Sequence, residues 1–329
     1  MGGRRICRVG GGQGICSSHL CCPPGGRRAR GGTHNVIQDI GDHGFDNAYA
    51  PKEPTPEAYA LAYQGDNVLL AEKDGNLVLP RVRDWQAVLG PEACGVDALA
   101  PRYLFRVDGN DFFLVDEAAL QTGSVGMPRG FVFASVQTMR FYQPRWLAFA
   151  AVTGLQLSRW YLNNRYCGRC GCELGHVATS RELACPSCGN VVYPRINPCI
   201  IVGITRSDSL LLTKFAQGRY KNYALVSGFC EVGETLEQTI EREVMEEVGL
   251  RVRNIRYYKS QPWSFSDSLL MGFFADVDGD PTARPDHVEL SVARWVARRD
   301  LPREHEDTSS LTNEMIELFA RGEEPMPNR

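Results

Sequence analysis

Short apolar runs separated by polar turns begin near residue 58. Ala58 to Tyr63, Val68 to Leu70 and Leu77 to Leu79 are parted by Gly65-Asp66-Asn67 and Gly75-Asn76, and Pro80 closes the last run. That spacing predicts a β-meander. Arg102 to Val107 and Asp111 to Val115 flank Asp108-Gly109-Asn110, a reversal that joins antiparallel strands. Arg145 to Asn163 reads as a helix, and Leu236, Ile240, Val244 and Val248 recur every fourth residue to mark another. Before residue 49 the chain is Gly/Arg-rich and nearly without apolar periodicity, so it is expected to lack order. The patterns divide the chain into a leader at 1–48, a mixed α/β N-terminal domain at 49–160, a small insert at 161–192, a larger α/β domain at 193–322 and a tail at 323–329.

Composition adds limits rather than a partner. The chain has 329 residues, enough for two or three compact units, and a net charge of only −3. No apolar run approaches the roughly 18 residues of a membrane span, and Trp146 to Leu157 reads as a core helix. Met1-Gly-Gly-Arg-Arg-Ile6 is not an apolar signal segment, and Ile6 stands where myristoylation would need Ser or Thr. A soluble, cytoplasmic protein is expected.

Of twelve cysteines, four form two tight pairs: Cys167-Gly-Arg-Cys170, fourteen residues, then Cys185-Pro-Ser-Cys188. Two such knuckles at this separation predict a zinc ribbon. Four thiolates fill a tetrahedral shell and leave no open position, so the ion would be structural, one per chain. Gly171 and Gly189 suit the turns after each knuckle, and Cys172 is a surplus thiol without a ligand role. Cys7, Cys16, Cys21 and Cys22 fall in the leader, while Cys94, Cys199 and Cys230 read as small buried apolar residues.

The stretch from Gly228 to Leu250 carries the chemistry. It is a loop followed by a helix with a Thr235/Gln238 capping box and Gly249 at its C-terminal end. At 100° per residue Glu243, Glu246 and Glu247 share one face. A solvated acidic face is the ordinary reading of such a run, but like charges three and four residues apart repel and do not help the helix fold. A hard cation held by oxygen ligands explains them.

Gly228, Glu234, Arg242-Glu243, Val244, Glu246-Glu247, Gly249 and Leu250 meet every fixed position of the Nudix box, which the stretch resembles. The resemblance implies an α/β/α sandwich with a mixed sheet, the box forming loop plus helix. It further implies that Glu243, Glu246, Glu247 and the Ser227 carbonyl hold Mg²⁺ or Mn²⁺, that Arg242 orients the cluster and that Glu234 supports the loop. Such a cation would neutralise pyrophosphate charge and acidify the attacking water, with a Glu assisting as base; Glu247 is the residue expected to be most sensitive.

Beyond the box, Ser260-Gln261-Pro262-Trp263-Ser264-Phe265-Ser266-Asp267-Ser268 resembles the Ser-Gln-Pro-Trp-Pro-Phe-Pro-x-Ser signature of the NADH pyrophosphatase family, also NAD-cap-removing RNA hydrolases. Tyr193-Pro-Arg-Ile-Asn-Pro198 matches that family's link between zinc ribbon and Nudix domain. By this resemblance Gln261, Pro262, Trp263, Ser264, Phe265, Ser266, Asp267 and Ser268 line the dinucleotide pocket, Tyr193 contacts substrate and Glu289 is a further metal carboxylate. Ser310, Glu182, Arg81 and Arg140 are weaker matches to substrate contacts, and a homodimer is implied. Ser264 and Ser266 replace two prolines, so a less rigid loop is expected. The leading function is hydrolysis of NADH or NAD⁺ to AMP plus nicotinamide mononucleotide, and of NAD-capped RNA ends. The alternatives are a Nudix hydrolase of ADP-ribose or dinucleoside polyphosphates, against which Gln261-Pro262-Trp263 argues, and a non-enzymatic zinc-ribbon nucleotide sensor, against which the intact box argues.

Overall fold

The computed structural model describes residues 36–89, 99, 101–121, 126–217 and 222–326. The cysteines at 7, 16, 21, 22 and 94 lie outside them. Among the described residues no helix is long and apolar enough to cross a membrane.

The N-terminal domain holds β1 (Phe45–Asp46), β2 (Tyr59–Leu61), β3 (Tyr63–Gln64), β4 (Asn67–Lys73), β5 (Asn76–Val78), α1 (Val82–Gln86), β6 (Arg102–Val107), β7 (Asn110–Leu114), α2 (Glu117–Gln121), β8 (Val132–Ser135) and α3 (Arg145–Asn163). β3, β4 and β5 form the meander, with β8 beside β4, and β6–β7 is the hairpin. β2 leaves the meander and pairs in parallel with β7, Tyr59 opposite Phe112. The reason is burial on both sides: Tyr59, Leu61 and Tyr63 enter one apolar cluster, while Ala58, Ala60 and Ala62 enter another.

The expected leader overlaps this domain and is ordered there. Val36 and Ile37 are buried, the Ile37 N–H donates to the Ser309 carbonyl at 3.2 Å, and β1 pairs with β6. The Gly/Arg-rich composition stops near residue 33, and Val36-Ile37 followed by Phe45 supplies enough apolar surface to dock a strap.

β9 (Gly175–His176), β10 (Leu183–Ala184) and β11 (Val191–Val192) make the small antiparallel sheet of the cysteine insert. Leu174 and Leu183 join the α3 cluster, so insert and N-terminal domain share one core.

The larger domain contains β12 (Asn197–Arg206), β13 (Ser209–Phe215), β14 (Val226–Phe229), α4 (Leu236–Val248), β15 (Arg251–Trp263), β16 (Ser268–Asp278), β17 (Leu290–Ala297) and α5 (Leu311–Arg321). The sheet runs β15-β16-β12-β13-β17 with β14 also on β12, and it is mixed because β12 and β16 are parallel. β12 is apolar on both faces. Ile200, Val202 and Ile204 pack on Ile240, Val244 and Val248 of α4, whereas Cys199 and Ile201 pack with Leu311, Met315 and Phe319 of α5. The result is the expected α/β/α sandwich.

Close approach governs α3. A Cβ on Gly154 would lie 2.4 Å from Tyr63 Oη and 2.6 Å from Leu61 Cδ1, and the same Tyr63 hydroxyl donates to the Ala151 carbonyl at 2.7 Å. Gly154→Ala is expected to destabilise the chain by roughly 1–3 kcal/mol through overpacking, read as a fall of several degrees in Tm; an unchanged Tm would contradict this packing.

Candidate active site

The α4 termini form as the residues predict. Thr235 Oγ1 accepts from the Gln238 N–H at 3.2 Å, Gln238 Oε1 accepts from the Thr235 N–H at 2.9 Å, and Gly249 ends the helix at φ 66°. Between these caps, Arg242 holds the acids. Its Nε donates to Glu234 Oε1 at 2.6 Å, Nη2 to Glu234 Oε2 at 2.9 Å and to the Phe229 carbonyl at 3.0 Å, and Nη1 to Glu243 at 2.8 Å and Glu246 at 3.0 Å. This bidentate pairing, chiefly, draws the Glu234 carboxyl down to about 2.

Gly228, on β14 beside half-buried Ser227, lets the strand meet the cluster. A Cβ there would stand 2.0 Å from Glu243 Cδ, so any side chain would displace that carboxylate. Glu247 lies deepest, 5% exposed, with Oε2 buried and without a hydrogen-bond partner. Burial first, then Glu243, Glu289, Asp286 and Glu246, push its carboxyl up to about 8. A buried carboxylate without a partner among other acids is costly in the absence of a cation. The donor set, all hard oxygens, fits Mg²⁺ or Mn²⁺.

Asp286 was not singled out by sequence and builds the rim of this site. It accepts the N–H groups of Val288, Glu289 and Leu290 at 2.9–3.2 Å, and the Leu290 N–H, above all, lowers its carboxyl. The Asp286 N–H donates to the Glu247 carbonyl at 3.1 Å. This turn closes the end of α4 and sets Glu289 beside Glu247. Its signal was Asp-x-x-Glu, an acid placed to cap a local turn.

The four knuckle sulfurs lie within 4.8 Å of one another, with Cys167–Cys188 at 3.6 Å and Cys170–Cys185 at 3.4 Å. Tetrahedral Zn–S bonds of about 2.3 Å need sulfurs about 3.8 Å apart, so the cage fits zinc. The Arg169 N–H, first among several causes, lowers the Cys167 thiol to about 6. Cys172 is exposed, Cys199 buried and Cys230 half-buried.

The other expected contacts fall into separate groups. Gln261 is fully buried, and its amide is engaged within the protein: Nε2 donates to Ser309 O at 2.8 Å and Gln38 Oε1 at 2.9 Å, while Oε1 accepts the Leu311 N–H at 2.8 Å. It caps α5 from a neighbouring strand, next to buried Ser310, so its hydrogen-bonding groups are spent on the protein's own backbone and on Gln38. Trp263 and Phe265 are half-buried against the N-terminal core, with Arg140 5.0 Å and 5.7 Å over their rings and paired to Asp307 at 2.9 Å. Pro262, Ser264 and Ser268 turn to a cleft of about 540 Å³ shared with Phe45, Phe149 and Ile196. Ser266 is exposed, and its N–H donates to Trp263 O at 3.2 Å, so proline there would lose that bond. Asp267 sits at φ 54°. Tyr193, exposed, hydrogen-bonds Glu182, which raises its hydroxyl. Arg81 is held by Tyr59 at 3.0 Å and by the Glu57 carbonyl, inside the N-terminal domain.

Ser268 pairs with Asn197 on one side of β12 and Phe229 with Cys199 on the other. The motif loop and the box therefore occupy one end of the sheet, roughly 10–12 Å apart by strand spacing.

An Arg-pinned acidic helix on one face of a mixed sheet defines a metal-dependent hydrolase class, and residues 195–319 match the NUDIX domain. The NAD-capped RNA hydrolase NudC of Escherichia fergusonii is 41% identical over 201 residues, 58% of this chain and 77% of that protein. Those of Shigella flexneri and Photorhabdus laumondii are 47% and 46% identical, each over 45% of this chain; the chain spans 58% of the length of each. The chain belongs to the NudC-like family of Nudix hydrolases.

Unfolded, Glu247 ionises near 4.5; folded and cation-free it keeps its proton to about 8. Between those values the folded chain binds more protons, so stability falls as pH rises across them. Metal-free protein is expected to lose Tm from about pH 5 to 8, and Glu247→Gln to flatten that loss. A wild-type profile as flat as the variant's would refute the burial described. Cys185→Ser is expected to abolish zinc binding and lower Tm, and metal analysis finding no zinc in the wild type would overturn the ribbon.

Proposed function

We propose that the chain is a divalent-metal-dependent pyrophosphohydrolase that splits NADH or NAD⁺ into AMP and nicotinamide mononucleotide and removes NAD caps from RNA 5′ ends. The observation that carries the reaction is the buried, unpartnered Glu247 Oε2 among the Arg242-held acids. The substrate follows the names of the three relatives, which are NAD-capped RNA hydrolases.

In this reading Glu243, Glu246, Glu247, Glu289 and the Ser227 carbonyl hold Mg²⁺ or Mn²⁺. When bound, the cation offsets the pyrophosphate charge and makes water more acidic. Arg242 fixes the carboxylates in place, and Gly228 keeps the approach open. Water oxygen bonds to one phosphorus, the bridging P–O bond breaks, and a carboxylate of the cluster takes the water's proton, leaving two monophosphates. Pro262 and Ser266, both exposed, and half-buried Trp263 and Phe265 keep surface for a substrate; Trp263 or Phe265 offers a ring face to the nicotinamide. Tyr193, Glu182, Arg140, Arg81 and Ser310 are outer contacts in the same reading. The zinc cage is structural. A second copy of the chain belongs to it too, since Tyr193, Ile196 and Phe229 leave apolar surface exposed beside the sheet end.

Product analysis on NADH, ADP-ribose and NAD-capped RNA side by side tests this directly. Glu247→Gln is expected to lower turnover on all three by about a hundredfold or more. Trp263→Ala should lower the NADH to ADP-ribose specificity ratio about five- to tenfold, since ADP-ribose lacks the nicotinamide ring and a lost stacking contact is worth roughly 1 kcal/mol. A higher wild-type kcat/KM on ADP-ribose than on NADH, or equal losses in Trp263→Ala, would replace this reading with a general Nudix hydrolase.

A further inference from the structure

One arginine of the N-terminal domain engages the backbone of the motif loop. Arg159, on α3 and 21% exposed, sends Nη1 to the carbonyls of Ser264 and Phe265, both at 3.2 Å, and to Asp267 Oδ1 at 3.3 Å. Its Nη2 donates to Asp66 Oδ1 at 2.7 Å, in the β3–β4 turn. The guanidinium thus joins two consecutive loop carbonyls and one loop carboxylate to a turn of the other domain.

Arg159 adds an anchor from another element to the loop's own bonds. Its own closures are the Ser266 N–H to Trp263 O bond at 3.2 Å and the Ser268 hydroxyl, which bonds the Ser266 hydroxyl and carbonyl at 3.0 Å, and Asp267 makes the reversal in the left-handed conformation at φ 54°. The Asp267 carbonyl accepts the Asn197 N–H at 2.9 Å, which ties the exit of the loop to β12. Arg140 covers the two rings and Arg159 holds the backbone between them, so both restraints come from outside the Nudix sheet. The planar fork serves the loop through Nη1 and Asp66 through Nη2, two places that the single nitrogen of a lysine cannot fill together.

We infer that Arg159 is a positioning residue, which fixes the Ser264–Asp267 backbone and thereby the ring faces of Trp263 and Phe265 toward a dinucleotide. This rests on the loop reading the substrate as proposed above. Arg159 touches no substrate itself. A loop freed from it samples other conformations, and binding must then select the competent one, which weakens apparent affinity while leaving the carboxylate cluster unaltered.

The test uses the full chain with zinc bound: Arg159→Met and Arg159→Lys, steady-state kinetics on NADH, and amide hydrogen exchange. For Arg159→Met, exchange over residues 264–267 should accelerate about tenfold and KM rise about tenfold, with kcat within twofold and exchange in α4 unchanged. Arg159→Lys should fall between this variant and wild type. Should Arg159→Met fail to fold, Asp66→Ala, at an exposed turn, should show smaller shifts in the same direction. Wild-type exchange and KM in Arg159→Met would overturn the inference, as would faster exchange with an unmoved KM. Faster exchange in α4 together with a fallen kcat would reduce Arg159 to general structural support and also overturn it. Wild-type protein inert toward NADH would overturn the substrate reading first, and is seen before any variant is made.

Discussion

Three carboxylates cannot share a small volume unless something holds them against their mutual repulsion, and in this chain that is the guanidinium of Arg242. Its five N–H groups meet five acceptors: both oxygens of Glu234, one each of Glu243 and Glu246, and the Phe229 carbonyl. Loop, strand and helix are thereby set relative to one another through a single rigid plane. Lysine could supply the charge but not the fork. Glu247 is left outside the arrangement, buried and without a proton donor, so the residue deepest in the cluster is the one whose charge the protein itself does not balance. Chemistry is prepared by that imbalance.

The second constraint is between domains. Trp263 and Phe265 belong by sequence to the Nudix domain, yet both pack against the core that contains α3 and the cysteine insert, Trp263 bridging from there to the α5 cluster. Gln38 and Ile37 add hydrogen bonds from the strap to Gln261 and Ser309. The motif loop is thus a joint, shaped from both sides. The four-cysteine cage contributes at one remove, because buried Cys167 and Cys185 lie in that same apolar cluster.

Much of this was legible before any coordinates. Local rules sufficed for α4, since its caps, apolar stripe and acidic face are all written within fifteen residues, and for the cysteine knuckles, whose spacing leaves few alternatives. The β-strands at 102–115 and the helix at 145–163 were equally local. What escaped was set by distant partners. β2 joins β7 instead of the meander because both its faces are buried, which no alternation within five residues could disclose. The strap at 36–48 is held at Ile37 and Gln38 by Ser309 and Gln261, more than 200 positions away, and at β1 by β6. That the Gln261 amide caps α5 was equally hidden; a motif names which residues recur together and not which way each side chain points. Asp286 was overlooked because its work is done on backbone N–H groups two to four residues ahead.

The shared apolar cluster bears on how this protein can be divided. A Nudix domain cut free at the ribbon junction would retain its sheet, both flanking helices and every box residue. It would also carry Phe265 and part of Trp263 with their cover removed, Gln261 without Gln38, and a loop stripped of both arginines. Exposed aromatic surface of that kind favours self-association. The sequence boundary between the cysteine insert and the Nudix domain is therefore not a seam along which the molecule separates, and an engineer exchanging the front half would need to carry the joint along with it.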